Sequence, residues 1–105
     1  MITPFFSMPE NVETLLTKQE YINAILHPKG VFGGFIHIIH SSPLHPEWGN
    51  LIIPEEETDY AYVYTEDGWK KDDLYNKIWL QLFNEYVNCV HYYTKNEKEI
   101  MKAKK

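Results

Sequence analysis

The chain has 105 residues, room for one domain around one core. Its formal net charge of −5 (10 Lys and Arg against 15 Asp and Glu) disfavours a general nucleic-acid binder, which needs clustered cations to meet phosphates. Aromatic residues reach 15%, with eight Tyr, five Phe and three Trp, so a small core leaves some of these rings for the surface, where protein interfaces use them.

Cys89 is the single cysteine, which excludes an internal disulfide and a cysteine-based zinc site. The first residues (MITPFFSMPENVE) lack the basic start and apolar run of a secretory leader. No apolar run approaches the ~20 residues of a membrane span. The expected compartment is intracellular, with no membrane partner.

Ser7-Met8-Pro9-Glu10 has the form of a capping box, and Thr17-Lys18-Gln19-Glu20 repeats it. The reading is one helix over 9–26 broken near Thr17, or two short helices, ended by His27-Pro28-Lys29-Gly30. Residues 31–40 (VFGGFIHIIH) are apolar, aromatic and β-branched, and are read as a buried strand, a helical turn being the alternative that periodicity leaves open. In a strand His37 and His40 point to opposite faces. Residues 41–50 (SSPLHPEWGN) form a loop, and Leu51-Ile52-Ile53 a short strand stopped by Pro54. The polar run 55–59 is too short for a crossover helix, so it joins antiparallel strands. In residues 60–65 (YAYVYT), Tyr60, Tyr62 and Tyr64 share one face of a strand. Glu66-Asp67-Gly68 is a turn, after which Trp69-Lys70-Lys71 returns as a brief third strand.

Asp72 or Asp73 then caps a long helix. Its apolar positions are Leu74, Tyr75, Ile78, Trp79, Leu82, Phe83, Tyr86 and Val90, with Leu80 and Val87 widening the arc. At 100° per residue these cover about half the circumference, against the roughly 100° that one packing surface needs. The helix is therefore expected to touch two things: the sheet, and either the N-terminal helices or another subunit. Trp79, Leu80, Phe83 and Val87, with the tyrosine face Tyr60, Tyr62 and Tyr64, are the interface candidates. Residues 1–93 read as one domain. Residues 94–105 carry Lys95, Lys98, Lys102, Lys104 and Lys105 against Glu97 and Glu99, a Lys-rich tail or an extension of the helix.

The chemistry-bearing constellation is His37, His40 and His45 with Glu47, residue types that ligate zinc or iron. The zincin spacing is absent, since Ile38 stands where glutamate would be required. The simpler reading is that one or two of these histidines bond loop backbone. Ser41-Ser42 and Cys89 lack the frame of a nucleophile, no glycine loop fits a phosphate, and the acidic run 55–59 reads as a solvated turn. Acidic flanks count against base stacking on the tyrosine face, leaving core packing or a protein interface.

Three motifs carry a resemblance: His45-Pro46-Glu47 after a His-bearing segment, then Asn50-Leu51-Ile52-Ile53-Pro54, then Tyr60–Tyr64 and Gly68-Trp69 before a helix. Over residues 35–87 the chain resembles a small domain that recurs near the C-termini of proteins of giant viruses, the nucleocytoplasmic large DNA viruses. No zinc finger precedes these motifs here, and Trp48-Gly49 replaces residues that are usually polar. The resemblance implies a viral, intracellular, non-enzymatic module and supplies no catalytic residues. Pro46, Asn50 and Trp69 are expected to build a firm loop and hairpin, with Trp69 anchoring the hairpin on the helix.

The expected fold is α+β: an N-terminal helical segment, a small, mainly antiparallel sheet of three to four strands, and a long C-terminal helix packed on it. The expected function is a protein-binding or assembly module, self-associating or docking to a viral or host protein, with no cofactor. The rivals are a metal-dependent hydrolase centred on the histidines and a nucleic-acid accessory protein using the Lys-rich end.

Overall fold

Proline at position 9 pushes the residue before it into extended backbone, so no helix starts at Ser7. In the computed structural model, which describes residues 1–102, Phe5–Ser7 form a 3-10 turn and Met8 is extended (φ −61°, ψ 149°). Helix α1 spans only Val12–Leu15, and the capping box expected at Ser7 does not form. The one at Thr17 does. Its hydroxyl accepts from the Glu20 N–H at 3.1 Å, and Glu20 Oε1 accepts from the Thr17 N–H at 2.8 Å, opening α2 (Lys18–Ile25). Of the two forms expected for this segment, the pair of short helices is the one adopted.

Residues 31–40 are not a strand but most of a helix, α3 (Gly30–His40). Gly30, at φ 89°, turns the chain out of the His27-Pro28-Lys29 connection. Phe35, Ile38 and Ile39 pack with Tyr21, Ile22 and Ala24 of α2 in a helical core, while Phe32 and Ile36 pack with the sheet. A helix held between two apolar layers is apolar all round, and that erases the periodicity by which a helix is recognised. Gly34 lets the two helices touch, because a Cβ there would lie 2.0 Å from the Ala24 carbonyl oxygen. Gly34→Ala should cost roughly 3 kcal/mol in urea denaturation, since backbone must move to admit the methyl. Gly33→Ala, whose Cβ would stand 3.3 Å from the Lys29 Cβ and needs only a few tenths of an ångström from that side chain, is the control and should cost much less.

Among the described residues the sheet has three antiparallel strands, β1 (Leu51–Ile52), β2 (Tyr60–Thr65) and β3 (Gly68–Asp73), in the order β1-β2-β3. Leu51 pairs with Val63, Tyr64 with Trp69 and Thr65 with Gly68, so Glu66-Asp67 form the hairpin loop and Gly68 takes φ 105°. Ala61 and Val63 turn inward and join Phe5, Leu51, Ile78 and Leu82 in a second core.

Asp73 caps the last helical segment by accepting from the Tyr75 N–H at 2.9 Å. One wide turn, Leu74–Ile78, departs from helical backbone at Asn76, and α4 (Trp79–Lys102) follows. This helix does meet two layers: Leu82 enters the sheet core, while Cys89 and Ile100 enter the helical core. It bends at Asn96 (φ −117°, ψ 20°), whose side-chain amide donates to the Tyr92 carbonyl at 2.8 Å. Beyond the bend Ile100 is buried, so the Lys-rich end continues as helix to Lys102, while Lys104 and Lys105 lie outside the described residues. Among the described residues no helix is long and apolar enough to cross a membrane.

Candidate functional site

The histidines of the rival metal reading are held apart, two of them on separate carboxylates. His40 is buried at the end of α3; its Nδ1 lies 2.8 Å from Asn50 Oδ1 and 3.1 Å from the Trp48 carbonyl oxygen. The Asn50 amide nitrogen donates to the Thr3 carbonyl at 2.8 Å, which turns its oxygen toward His40 and places a proton on Nδ1. Nε2 lies 2.7 Å from Glu85 Oε1, so a proton is shared across that contact as well. Neither ring nitrogen is left to ligate a metal or take a proton from a substrate.

His45 pairs with a different helix, its Nε2 standing 2.6 Å from Oε2 of the buried Glu20. Its ring stacks on Trp48 at 4.4 Å between centroids, and Nδ1 is 3.7 Å from Glu47 Oε1. His37 is exposed beside His27, their rings 5.1 Å apart. Among the described residues no three His, Cys, Asp or Glu side chains are grouped to hold a metal ion, which argues against the metal-dependent hydrolase. The simpler reading fits His40, which bonds the loop carbonyl of Trp48. Sequence reasoning passed over Glu20 and Glu85, the partners that bind these rings. Only the Thr17 capping box marked Glu20 at all, and nothing in the sequence marked Glu85.

Pro46 opens a 3-10 turn, Pro46–Trp48, which delivers Trp48 to the helical core and the buried Asn50 to His40. Trp69 departs from expectation. It is exposed, and its ring meets Tyr64 at 5.6 Å within the hairpin, so it does not anchor the hairpin on α4.

The interface candidates remain on the surface. Along α4, Trp79 (45% exposed), Leu80 (61%), Phe83 (46%) and Val87 (43%) stand outward even though the helix already packs on both cores. Spacings of three and four residues align Leu80, Phe83 and Val87 on one stripe, with Trp79 beside it. Phe32 of α3 supports the stripe from below, 5.2 Å from Trp79 and 4.9 Å from Tyr86. Between residues 78 and 94, Glu85 is the sole Asp, Glu, Lys or Arg, and it is drawn toward His40. The bare face is therefore nearly free of ionic groups, its apolar stripe bordered by the exposed Asn84, Asn88 and His91.

A second aromatic face lies on the open side of the sheet. Tyr60, Tyr62 and Tyr64 point away from Ala61 and Val63, so the tyrosine ladder is no part of the core. Tyr60 and Tyr62 meet edge to face at 5.7 Å, and the Lys71 ammonium sits 4.0 Å above the Tyr60 ring.

The chain matches no protein-family model, no curated protein and no solved structure.

Cys89 supplies no nucleophile. Burial, opposed by a hydrogen bond with Tyr21, pushes its thiol from an ordinary 9.0 up to about 12, and burial likewise raises Tyr21. Both groups hold their protons more tightly when folded than when unfolded. The stability this contributes is complete below the unfolded thiol value of 9.0 and is lost as pH rises through the folded values. Urea midpoints should thus fall between about pH 8 and about pH 11, and Cys89→Ala should flatten the decline. A thiol reagent at neutral pH should leave the folded protein unmodified.

Proposed function

We propose that this protein is a non-enzymatic binding and assembly module that pairs with a second copy of itself through the bare face of α4. What supports the reading is that stripe of Leu80, Phe83 and Val87 beside Trp79, exposed on a helix that already packs on both cores. Charge selects the occupant. Each chain carries a formal −5, so two copies repel over most of their surfaces, but the α4 face between residues 78 and 94 presents no unpaired formal charge. Two such faces can meet without setting like charges against each other, and both bury rings that water would otherwise surround. The resemblance of residues 35–87 to the giant-virus domain supports a viral setting, in the host cytoplasm.

Light scattering on a sizing column tests this directly. The expected mass is twice the 12.5 kDa of one chain, falling toward one chain on strong dilution. A monomer at every concentration up to about 1 mM would overturn self-pairing and leave the face to a viral or host protein instead.

A further inference from the structure

Tyr60, Tyr62 and Tyr64 belong to neither core, so the open face of the sheet is left to solvent. Cross-strand partners point to the same side, which sets Ile52, Tyr62 and Lys71 in one row across this face and Tyr64 and Trp69 in the next. Tyr62 and Trp69 are exposed, and the Trp69 ring meets Tyr64 edge to face at 5.6 Å. Tyr60 already holds a cation, the Lys71 ammonium 4.0 Å from its ring centre. Among the described residues Tyr62, Tyr64 and Trp69 hold none, although their faces are electron-rich in the same way.

Formal charge is concentrated around this face. Residues 55–73 hold eight carboxylates against Lys70 and Lys71, so this one segment is more negative than the −5 of the whole chain. The carboxylates bracket the tyrosines: Glu57 and Asp59 lead into Tyr60, and Glu66 and Asp67 form the turn between Tyr64 and Trp69. Lys70 engages Asp67 at 3.7 Å. Glu57, Asp59 and Glu66 are exposed, and no cation among the described residues pairs with them. Ring faces attract a cation at contact and carboxylates at the rim attract it from a distance, so both select the same sign of charge.

We propose that the open sheet face binds an extended, arginine-bearing segment of a partner protein. Tyr62 and Tyr64 stand two residues apart on β2, about 7 Å, which matches arginines at alternate positions of an extended chain. One guanidinium covers Tyr62 and the next covers Tyr64 and Trp69, while the flanking carboxylates accept from their outer N–H groups. Guanidinium is favoured over ammonium because it is planar, stacks on a ring and is more weakly hydrated. The chain itself contains no arginine, all ten of its Lys and Arg residues being lysine. A second copy therefore offers only ammonium groups, and the occupant is a different protein.

Fluorescence anisotropy of a labelled octapeptide, arginine alternating with serine, titrated with the full chain tests the proposal, and ¹⁵N amide shifts locate the site. The arginine peptide should bind at least about fivefold tighter than its lysine counterpart, and a glutamate counterpart should not bind. Shifts should centre on residues 60–71. Tyr62→Thr and Trp69→Thr keep β-branched residues at exposed strand positions, so melting temperature should hold within a few degrees while binding weakens about tenfold in each. Asp59→Asn combined with Glu66→Gln should weaken binding and flatten its salt dependence. The proposal is overturned if the lysine peptide binds as tightly, if shifts spread over the whole acidic surface or centre on Phe83 and Val87, or if both aromatic variants bind as the parent does. Equal binding by a synthetic peptide of residues 94–105 would also overturn it, giving the face to the Lys-rich end of a second copy. Native mass reads the α4 face and peptide binding reads this one, so failure of one proposal is distinguishable from failure of the other.

Discussion

His40→Leu should lower the melting temperature by roughly 15 °C, the consequence of about 3 kcal/mol lost at one buried site. The ring is the junction of three segments: α3 carries it, the Trp48–Asn50 loop takes one nitrogen, and Glu85 of α4 takes the other. Asn50 extends the junction to the N-terminus through the Thr3 carbonyl, and Gln81 reaches both Glu85 and the Phe5 carbonyl. Leucine keeps the volume but leaves the Glu85 carboxylate nearly buried without its partner and the Asn50 oxygen without its donor. Adding Glu85→Leu should recover part of the loss, because replacing both partners removes the stranded charge that removing one creates. Thermal unfolding of the parent, both single variants and the double variant measures the coupling. Additive losses, with no recovery in the double variant, would mean that His40 and Glu85 act independently and that the ring matters only for packing.

Leu80→Glu combined with Phe83→Glu should halve the native mass while leaving the melting temperature of the isolated chain within a few degrees. Both side chains are about half exposed or more, so neither core loses atoms, and each substitution places like charges opposite each other in a symmetric pair. Repulsion across a face otherwise free of ionic groups, together with the lost apolar burial, should weaken pairing by about 1,000-fold. Sedimentation equilibrium of parent and variant measures this. If the parent is a dimer and the charged variant keeps its mass, the pairing surface lies elsewhere, and the tyrosine face of the sheet is the next to substitute. Leu82→Ala, between the two positions but buried in the sheet core, should act oppositely, lowering stability by about 2–5 kcal/mol.

The sequence alone determined the features that short-range patterns carry. Alternation in residues 60–65 located β2 and its tyrosine face, Gly68 located the hairpin turn, Thr17 and Glu20 located the start of α2, and the pair Asp72 and Asp73, of which Asp73 is the cap, that of the last helical segment. The surplus apolar arc of α4 was also legible, since its width shows in a helical projection, and part of it is the stripe left bare here. Tertiary structure decided the rest. Residues 31–40 are a helix because two layers enclose them, and a segment apolar on every side has no period from which its conformation can be read. His40 and His45 are tied into the packing because Glu85, 45 residues from His40, and Glu20, 25 from His45, arrive at their ring nitrogens. No local spacing encodes those meetings, which depend on how helices pack.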